Sequence, residues 1–482
     1  MINFRIIARV FSILLIFEGI MMLFAAMISL IYQEHTASSF LYSAIITILA
    51  GVISFTPLKE NDKAYGSREG HLIVAGVWII FTLFGTLPFL FSGTIKSFTD
   101  AFFESMSGFT TTGATIITDI DSLPKGILFW RSLTQWIGGM GVIFLSLYVL
   151  PVFKDLNIQL STTEFSGQTS DKIHPRVVDA AKRLIALFIV LTICEIALLN
   201  AAGMPFFDSV CQSFSTLSTG GFSTHNNSLS IYASPAIKII ITLFMFIAGT
   251  NMTLVYFGAK RNFGKIFGSN EFIFYFSVCL FFSILVSILL YSEHIFNSFN
   301  SIINATFQVV SVITTTGYYT SNYSLWGNFV VLLLFILMFT GGTSGSSSGG
   351  MKMTRLMIMT KNNRMELRRL IHPNAYIPVR LNQRIVPQNL VYNVLVFVAL
   401  YFLIICASAM IISLMGYDLI TSFGTSAAML GNIGPGIGSF GPFSTYAGLP
   451  VAGKWFMSGL MLLGRLELMT VLILFARSFY RR

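Results

Sequence analysis

Four short segments, about a hundred residues apart, read alike when stacked: "ESMSGFTTTGAT" from Glu104, "QSFSTLSTGGFS" from Gln212, "QVVSVITTTGYY" from Gln308 and "TSAAMLGNIGPG" from Thr425. Each brings a glycine to its tenth place: Gly113, Gly221, Gly317 and Gly434. Each also lies between two apolar stretches, so the repeating unit is helix, short helix, polar loop, helix. The apolar stretches recur along the whole chain and are long enough to cross roughly 30 Å of hydrocarbon. With 54% hydrophobic and 10% charged residues, the 482-residue chain has no segment left for a sizeable soluble domain. The expected class is an all-α integral membrane protein. The first stretch, Phe11 to Ile31, is too long for a signal-peptide core and lacks a small-residue cleavage pattern, so it reads as a retained helix.

The net charge of +10 does not point to nucleic acid, because the basic residues follow the helix ends instead of forming one patch. They cluster at Arg5 and Arg9, at 59–68, 154–183, 260–265 and 352–384, and at the C-terminus. Cytoplasmic loops carry such excesses, which puts both termini inside and requires an even number of crossings. The four cysteines show no paired spacing and the six histidines no i, i+4 pairs, so neither a disulfide nor a metal site is expected.

About ten residues of mixed small, polar and apolar character precede each repeated glycine, enough for a helix of about 15 Å, half the membrane. Such a helix enters and returns. All four enter from outside and aim their C-termini, the negative ends of their dipoles, at the membrane centre, which favours a cation. The loops that follow offer successive carbonyls and hydroxyls, with glycine free to turn carbonyls toward one axis. Four of them around an axis replace the hydration shell of a monovalent cation.

These motifs, with "WRSLTQWIGGMG" (Trp130 to Gly141) and "GRLE" (Gly464 to Glu467), resemble those of the TrkH-type membrane subunits of the Trk/Ktr potassium-uptake family over essentially the whole chain. The resemblance implies four channel-like helix–pore-loop–helix repeats around one pore: 58–155, 156–262, 263–360 and 361–482. Residues 1–57 add two N-terminal helices, about 4–32 and 39–56, for ten crossings. It implies filter residues Thr111, Thr112 and Gly113; Thr219, Gly220 and Gly221; Thr315, Thr316 and Gly317; and Asn432, Ile433 and Gly434. Potassium is the expected ion, since plant relatives associated with sodium carry serine in place of the first glycine, here Gly113. It further implies a homodimer in a bacterial cytoplasmic membrane. A cytosolic TrkA-type regulatory partner would bind its nucleotide, NAD or ATP/ADP, on its own chain, leaving no cofactor here. The basic segment 361–384 is a candidate docking surface.

"FTGGTSGSSSGGMK", Phe339 to Lys352, interrupts the second helix of the third repeat. Counted from Asn328, Gly341 comes about 20 Å down a helix, just under a filter in the outer half. Glycine and serine disfavour helix there, while their hydroxyls and carbonyls accept solvation in a wet cavity. The expected gate is therefore Gly341, Gly342, Thr343, Ser344, Gly345, Ser346, Ser347, Ser348, Gly349 and Gly350, with Lys352 and Arg465. Arg465 sits mid-span, where a charge costs roughly 2.5–3.5 kcal/mol and must face the bundle interior or water. Pairing with Glu467 is disfavoured, because residues two apart occupy different helix faces. In the resembled family this arginine lies in the permeation path.

Other readings are weaker. "GSSSG" matches a nucleophile elbow but lacks the strand before it and a His/acid pair, so no enzyme is expected. The stretch also lacks the GK[ST] ending of a phosphate-binding loop. A secondary symporter, moving potassium with protons or sodium by alternating access, is the alternative transport mechanism. Only Glu18, Glu195 and Glu467 are acidic within spans, and none adjoins a filter loop. Arg131, Gln135 and Glu104 are candidates to buttress the first loop, and Asp100, Asp119 and Asp121 to concentrate cations at the mouth.

Overall fold

A computed structural model describes residues 3–55, 67–149, 173–375, 377–382, 384–466, 468–476 and 479. Glu467 and much of the basic segments 59–68 and 154–183 lie outside these residues. The first two helices, α1 (Phe4–Ile31) and α2 (Thr36–Ile53), form a hairpin packed on the first repeat. They approach closely because both carry glycine at the contact. A Cβ on Gly19 would lie 2.5 Å from Ile48, and one on Gly51 2.9 Å from the Ser12 carbonyl.

Four copies of one motif follow. The first comprises α3 (Ser67–Gly85), the short α4 (Leu87–Phe91), α5 (Phe98–Phe109) and α6 (Lys125–Val149). The second comprises α7 (Ile173–Ala201), α8 (Phe206–Leu217), α9 (Pro235–Ala248) and α10 (Met252–Ala259), and α11 (Phe263–Phe267) leads out of it. The third has α12 (Asn270–Ser292), α13 (Ser298–Ile313), α14 (Asn328–Leu337) and α15 (Met353–Ile371). A two-stranded hairpin, β1 (Arg380–Leu381) and β2 (Arg384–Ile385), precedes the fourth: α16 (Gln388–Leu414), α17 (Leu419–Gly431), α18 (Val451–Arg465) and α19 (Leu468–Phe475).

The short helices α5, α8, α13 and α17 have 12, 12, 16 and 13 residues. At 1.5 Å per residue none crosses a bilayer. Each is nearly all buried in its last two turns, whereas α1, α2, α12 and α16 turn a face of Phe, Leu and Ile outward. The amphipathic rule is thus inverted, with polar Ser, Thr and Gln side chains inside and apolar ones outside, as lipid requires.

Not every second helix of the repeats is continuous. Among the described residues six spans are long and apolar enough to cross a membrane unbroken. The second helices of repeats 2 and 4 bend sharply, by 114° between α9 and α10 and by 117° between α18 and α19. That of repeat 3 stops at Leu337 after ten residues. The chain breaks where "GTN" and the Gly/Ser run leave backbone groups to be satisfied by neighbours, which is tolerable only where protein surrounds them.

Candidate ion path and gate

All four short helices end in the same way. The residue two before each repeated glycine takes the left-handed conformation: Thr111 (φ 52°), Thr219 (54°), Thr315 (58°) and Asn432 (54°). The next residue donates its N–H back into the last helical turn: Thr112 to Ser107 O (2.9 Å), Gly220 to Ser215 O (2.8 Å), Thr316 to Ser311 O (2.9 Å) and Ile433 to Ala428 O (2.9 Å). This is a Schellman cap, which glycine or asparagine ordinarily closes. Three of the four use threonine, whose branched Cβ makes a positive φ strained. Thr110 and Thr112, and Thr314 and Thr316, share hydroxyl hydrogen bonds of 2.8 Å, so the two TTTG loops are alike in side-chain detail too.

The glycines close the ring. Gly113, Gly221, Gly317 and Gly434 have φ of 79°, 78°, 81° and 95°. A Cβ on Gly113 would stand 2.1 Å from the carbonyl oxygen of Gly220, on Gly221 2.0 Å from that of Thr316, on Gly317 1.7 Å from that of Ile433, and on Gly434 2.6 Å from that of Thr112. Each loop thus abuts the next, and the fourth returns to the first. The four glycines line one cavity at the outer mouth.

Side chains hold this ring from behind. Gln135 on α6 donates from Nε2 to Gly220 O (2.7 Å) and accepts from Phe222 N (3.1 Å) through Oε1. Arg131 pairs with Glu104 (2.9 Å) and donates to Ser223 O (3.1 Å), and Glu104 accepts from Ile116 N (2.9 Å). These three therefore buttress the first two loops. Tyrosines absent from the sequence reading complete the cuff: Tyr446 donates to Gly434 O (2.8 Å), Tyr323 to Gly436 O (2.8 Å) and Tyr318 to Phe222 O (3.3 Å). The repeat alignment marked their neighbourhood, but no local signal singled them out.

The Gly/Ser interruption lies across the C-terminal ends of these helices. Gly349 N–H donates to Thr315 Oγ1 (2.7 Å), and Ser347 Oγ donates to Leu217 O (2.9 Å) at the end of α8. A Cβ on Gly349 would meet Gly431 O, at the end of α17, at 2.7 Å. Arg465, buried at the end of α18, donates from Nη1 to Ser347 O (2.7 Å) and from Nη2 to Gly138 O (3.3 Å). Gly138 in turn lies against the Phe109 carbonyl that ends α5, where its Cβ would come to 2.0 Å. Loop and arginine together reach all four helix ends.

The loop is not solvated as its composition suggested. Gly341, Gly342, Thr343 and Ser346 to Gly349 are buried. Gly341 N donates to Met351 O (2.8 Å), Met353 N to Gly342 O (3.0 Å), and Thr343 N to Gly249 O (2.9 Å) in the break between α9 and α10. Gly342 N donates to Ser348 Oγ (2.9 Å), and Lys352 Nζ donates to Ser348 Oγ (3.2 Å) and to the Ser346 and Ser348 carbonyls. Gly345 and Gly350 take positive φ, at 76° and 64°. Protein groups therefore replace the expected water, and Gly249, Asn251 and Glu271, none of them marked in the sequence, supply part of them.

The remaining acids are dispersed. Asp100 pairs with Lys454 (2.7 Å), Asp121 contacts His225 (2.7 Å), and Asp119 accepts from Asn226 (3.3 Å). Glu18 and Glu195 are buried, and Cys194, Cys211, Cys279 and Cys406 are free thiols.

A ring of four re-entrant helix ends, closed by glycines inside a lipid-facing helical shell, defines the class as a membrane cation pathway of four tandem repeats. The TrkH family, described as a cation transport protein, matches over residues 36–480. The chain belongs to the TrkH family. It is similar to the Trk system potassium uptake protein TrkH of Salmonella typhimurium, 37% identical over 99% of this chain and 100% of that one. The protein of the same name from Halomonas elongata is 36% identical over 100% of both. The crystal structure of the potassium transporter TrkH from Vibrio parahaemolyticus superposes with a TM-score of 0.91, at 34% identity and 100% coverage of both chains.

Proposed function

We propose that this chain takes up potassium across a bacterial cytoplasmic membrane, through the four-loop ring as selectivity filter and past a gate formed by residues 341–350 with Lys352 and Arg465. The observation that carries the reading is the closed cycle of glycine-to-carbonyl contacts, 113 to 220, 221 to 316, 317 to 433 and 434 to 112. It supports carbonyl ligands from Thr111, Thr112, Thr219, Gly220, Thr315, Thr316, Asn432 and Ile433, with the negative ends of four helix dipoles behind them. The Gly220 oxygen keeps a lone pair for an ion while accepting from Gln135.

The membrane potential supplies the driving force, about 2.3 kcal/mol per charge per 100 mV. Arg465 opposes a passing cation while it holds Ser347, so release of the loop and removal of the barrier are one event. Both termini are cytoplasmic in this reading, the chain works as a homodimer, and a cytosolic TrkA-type subunit bearing NAD or ATP/ADP acts on the gate. The curated relatives are named as parts of a Trk system, which supports such a partner.

The test is potassium and sodium flux through the reconstituted chain, with and without the regulatory subunit. Downhill, potassium-selective flux is expected, and Arg465→Ala is expected to raise unregulated flux about tenfold. Uphill potassium movement driven by a sodium or proton gradient would overturn the channel-like mechanism. Unaltered flux and regulation in Arg465→Ala would remove the gate.

A further inference from the structure

The loop's contacts divide into two groups. One joins it to Gly249, Leu217 and Thr315 through the Thr343 and Gly349 N–H groups and the Thr343 and Ser347 hydroxyls. The other group converges on one side chain. Glu271, the second residue of α12, is 6% exposed, and its Oε1 accepts both the Ser344 N–H (2.5 Å) and the hydroxyl of Thr354. Ser344 Oγ and Thr354 Oγ1 are 2.6 Å apart. Thr354 is the second residue of α15, the helix that leaves the loop. Asn251, capping α10, donates from Nδ2 to Ser344 O (2.7 Å), so Ser344 is held from both sides.

We infer that Glu271 is a positioning residue that latches the gate loop shut by joining the first turns of α12 and α15 through Ser344. The inference rests on the gate reading above and names how that gate is regulated. Glu271 sits in the first turn of α12, where the positive end of the helix dipole favours a carboxylate, and one of its oxygens accepts both hydrogen bonds. Its acceptor atom is shared between the loop and α15. Displacement of α15 by a force on its basic end, where Arg364 and Arg368 are exposed, therefore loosens the hold on Ser344. Ser344 is three residues from Ser347, the residue Arg465 holds, so the loosening reaches the barrier directly.

The experiment measures potassium and sodium efflux from liposomes containing the full chain, for wild type, Glu271→Ala, Glu271→Gln, Thr354→Val and Arg465→Ala. Glu271→Ala is expected to raise basal potassium flux about tenfold with the potassium-to-sodium ratio unchanged. Glu271→Gln retains an amide oxygen for the same two donors and is expected to recover most of the closed state. Thr354→Val, which removes one donor, is expected to raise flux about threefold, and it decides the matter if Glu271→Ala fails to fold. Wild-type flux in Glu271→Ala, or in Thr354→Val where it stands in, overturns the latch, as does a Glu271→Gln flux equal to that of Glu271→Ala. The latch fails alone if Arg465→Ala still raises flux, and the gate reading fails with it if Arg465→Ala does not.

Discussion

The filter loops and the interrupting loop are both rich in glycine, and in each a Cβ would collide with a neighbouring carbonyl. In the filter all four glycines also hold a positive φ, between 78° and 95°, and the four loops take one backbone shape. In the gate, Gly341, Gly342 and Gly349 have ordinary backbone angles and are needed because nothing larger fits. Their Cβ atoms would fall 2.3 Å from Gly349 O, 2.5 Å from Gly249 O and 2.7 Å from Gly431 O. The filter is also braced by side chains from behind, notably Gln135, Arg131 and three tyrosines, whereas the gate is held by backbone contacts and a few polar side chains. A shape enforced from behind stays when an ion passes. A close fit that depends on a few latching side chains can be lost as a unit.

The same substitution should therefore have opposite effects in the two regions. In Gly317→Ala the added Cβ meets the Ile433 carbonyl at 1.7 Å and adopts a φ that costs roughly 1–2 kcal/mol for an alanine. The ring must open, and potassium uptake in reconstituted liposomes is expected to fall about 100-fold. In Gly349→Ala the loop is pushed away from Gly431 O at 2.7 Å, and basal flux is expected to rise about tenfold. If both variants change flux in the same direction, the division into rigid filter and releasable gate is wrong.

Much of the arrangement of these loops was legible in the sequence, and the reasons are local. Three loops share a threonine-rich run ending in glycine, and the fourth, "GNIGPG", is found by register alone. Yet its Asn432 adopts the same left-handed cap as Thr111, Thr219 and Thr315. That threonine closes a Schellman cap was not legible, because its intrinsic preference is against it and only the assembled ring holds it there. The Gly/Ser segment does lie against the third loop, with Gly349 N–H on Thr315 Oγ1, but its surroundings were expected to be water. Its partners are distant in the chain, with Glu271 73 residues from Ser344 and Gly249 94 from Thr343, and no periodicity links them. The breaks in the second helices of repeats 2 and 4 were missed because each spans only a few residues of otherwise apolar sequence.

The bracing itself can be tested one step more gently. Gln135→Ala deletes the donor to Gly220 O and the acceptor of Phe222 N, leaving a buried N–H unsatisfied at a cost of about 1–3 kcal/mol. The second loop loses its support while the gate is untouched. The expected result is a three- to tenfold fall in the potassium-to-sodium flux ratio with no rise in unregulated flux. A leak at constant selectivity would place Gln135 with the gate instead.

The mildest test lies at the outer mouth, outside the spans, where bracing passes from the filter to charged loops. His225 Nδ1 is 2.7 Å from Asp121 Oδ1, and its Nε2 is 3.6 Å from Asp208 Oδ2, which also accepts from Tyr232 (3.0 Å). The Asp208 carboxylate facing the ring raises the His225 pKa above the usual histidine value, burial opposes this, and Asp121 adds to the rise. A histidine whose folded pKa is raised stabilises the fold fully below its unfolded value of about 6.5, and the contribution is lost as pH rises through the folded value. Asp121 precedes α6 and Asp208 opens α8, so the protonated ring ties the first repeat to the second just outside their loops. His225→Gln is expected to lower the unfolding temperature by about 1–2 °C near pH 6, with the difference shrinking toward pH 9. It should leave basal flux unchanged at any pH, because the gate lies on the other side of the filter. An equal deficit at both pH values would mean that the imidazole contributes by packing and not by its charge. A pH-dependent leak would mean that the mouth and the gate are coupled through the ring, and the contrast between the braced and the releasable region would then have to be given up.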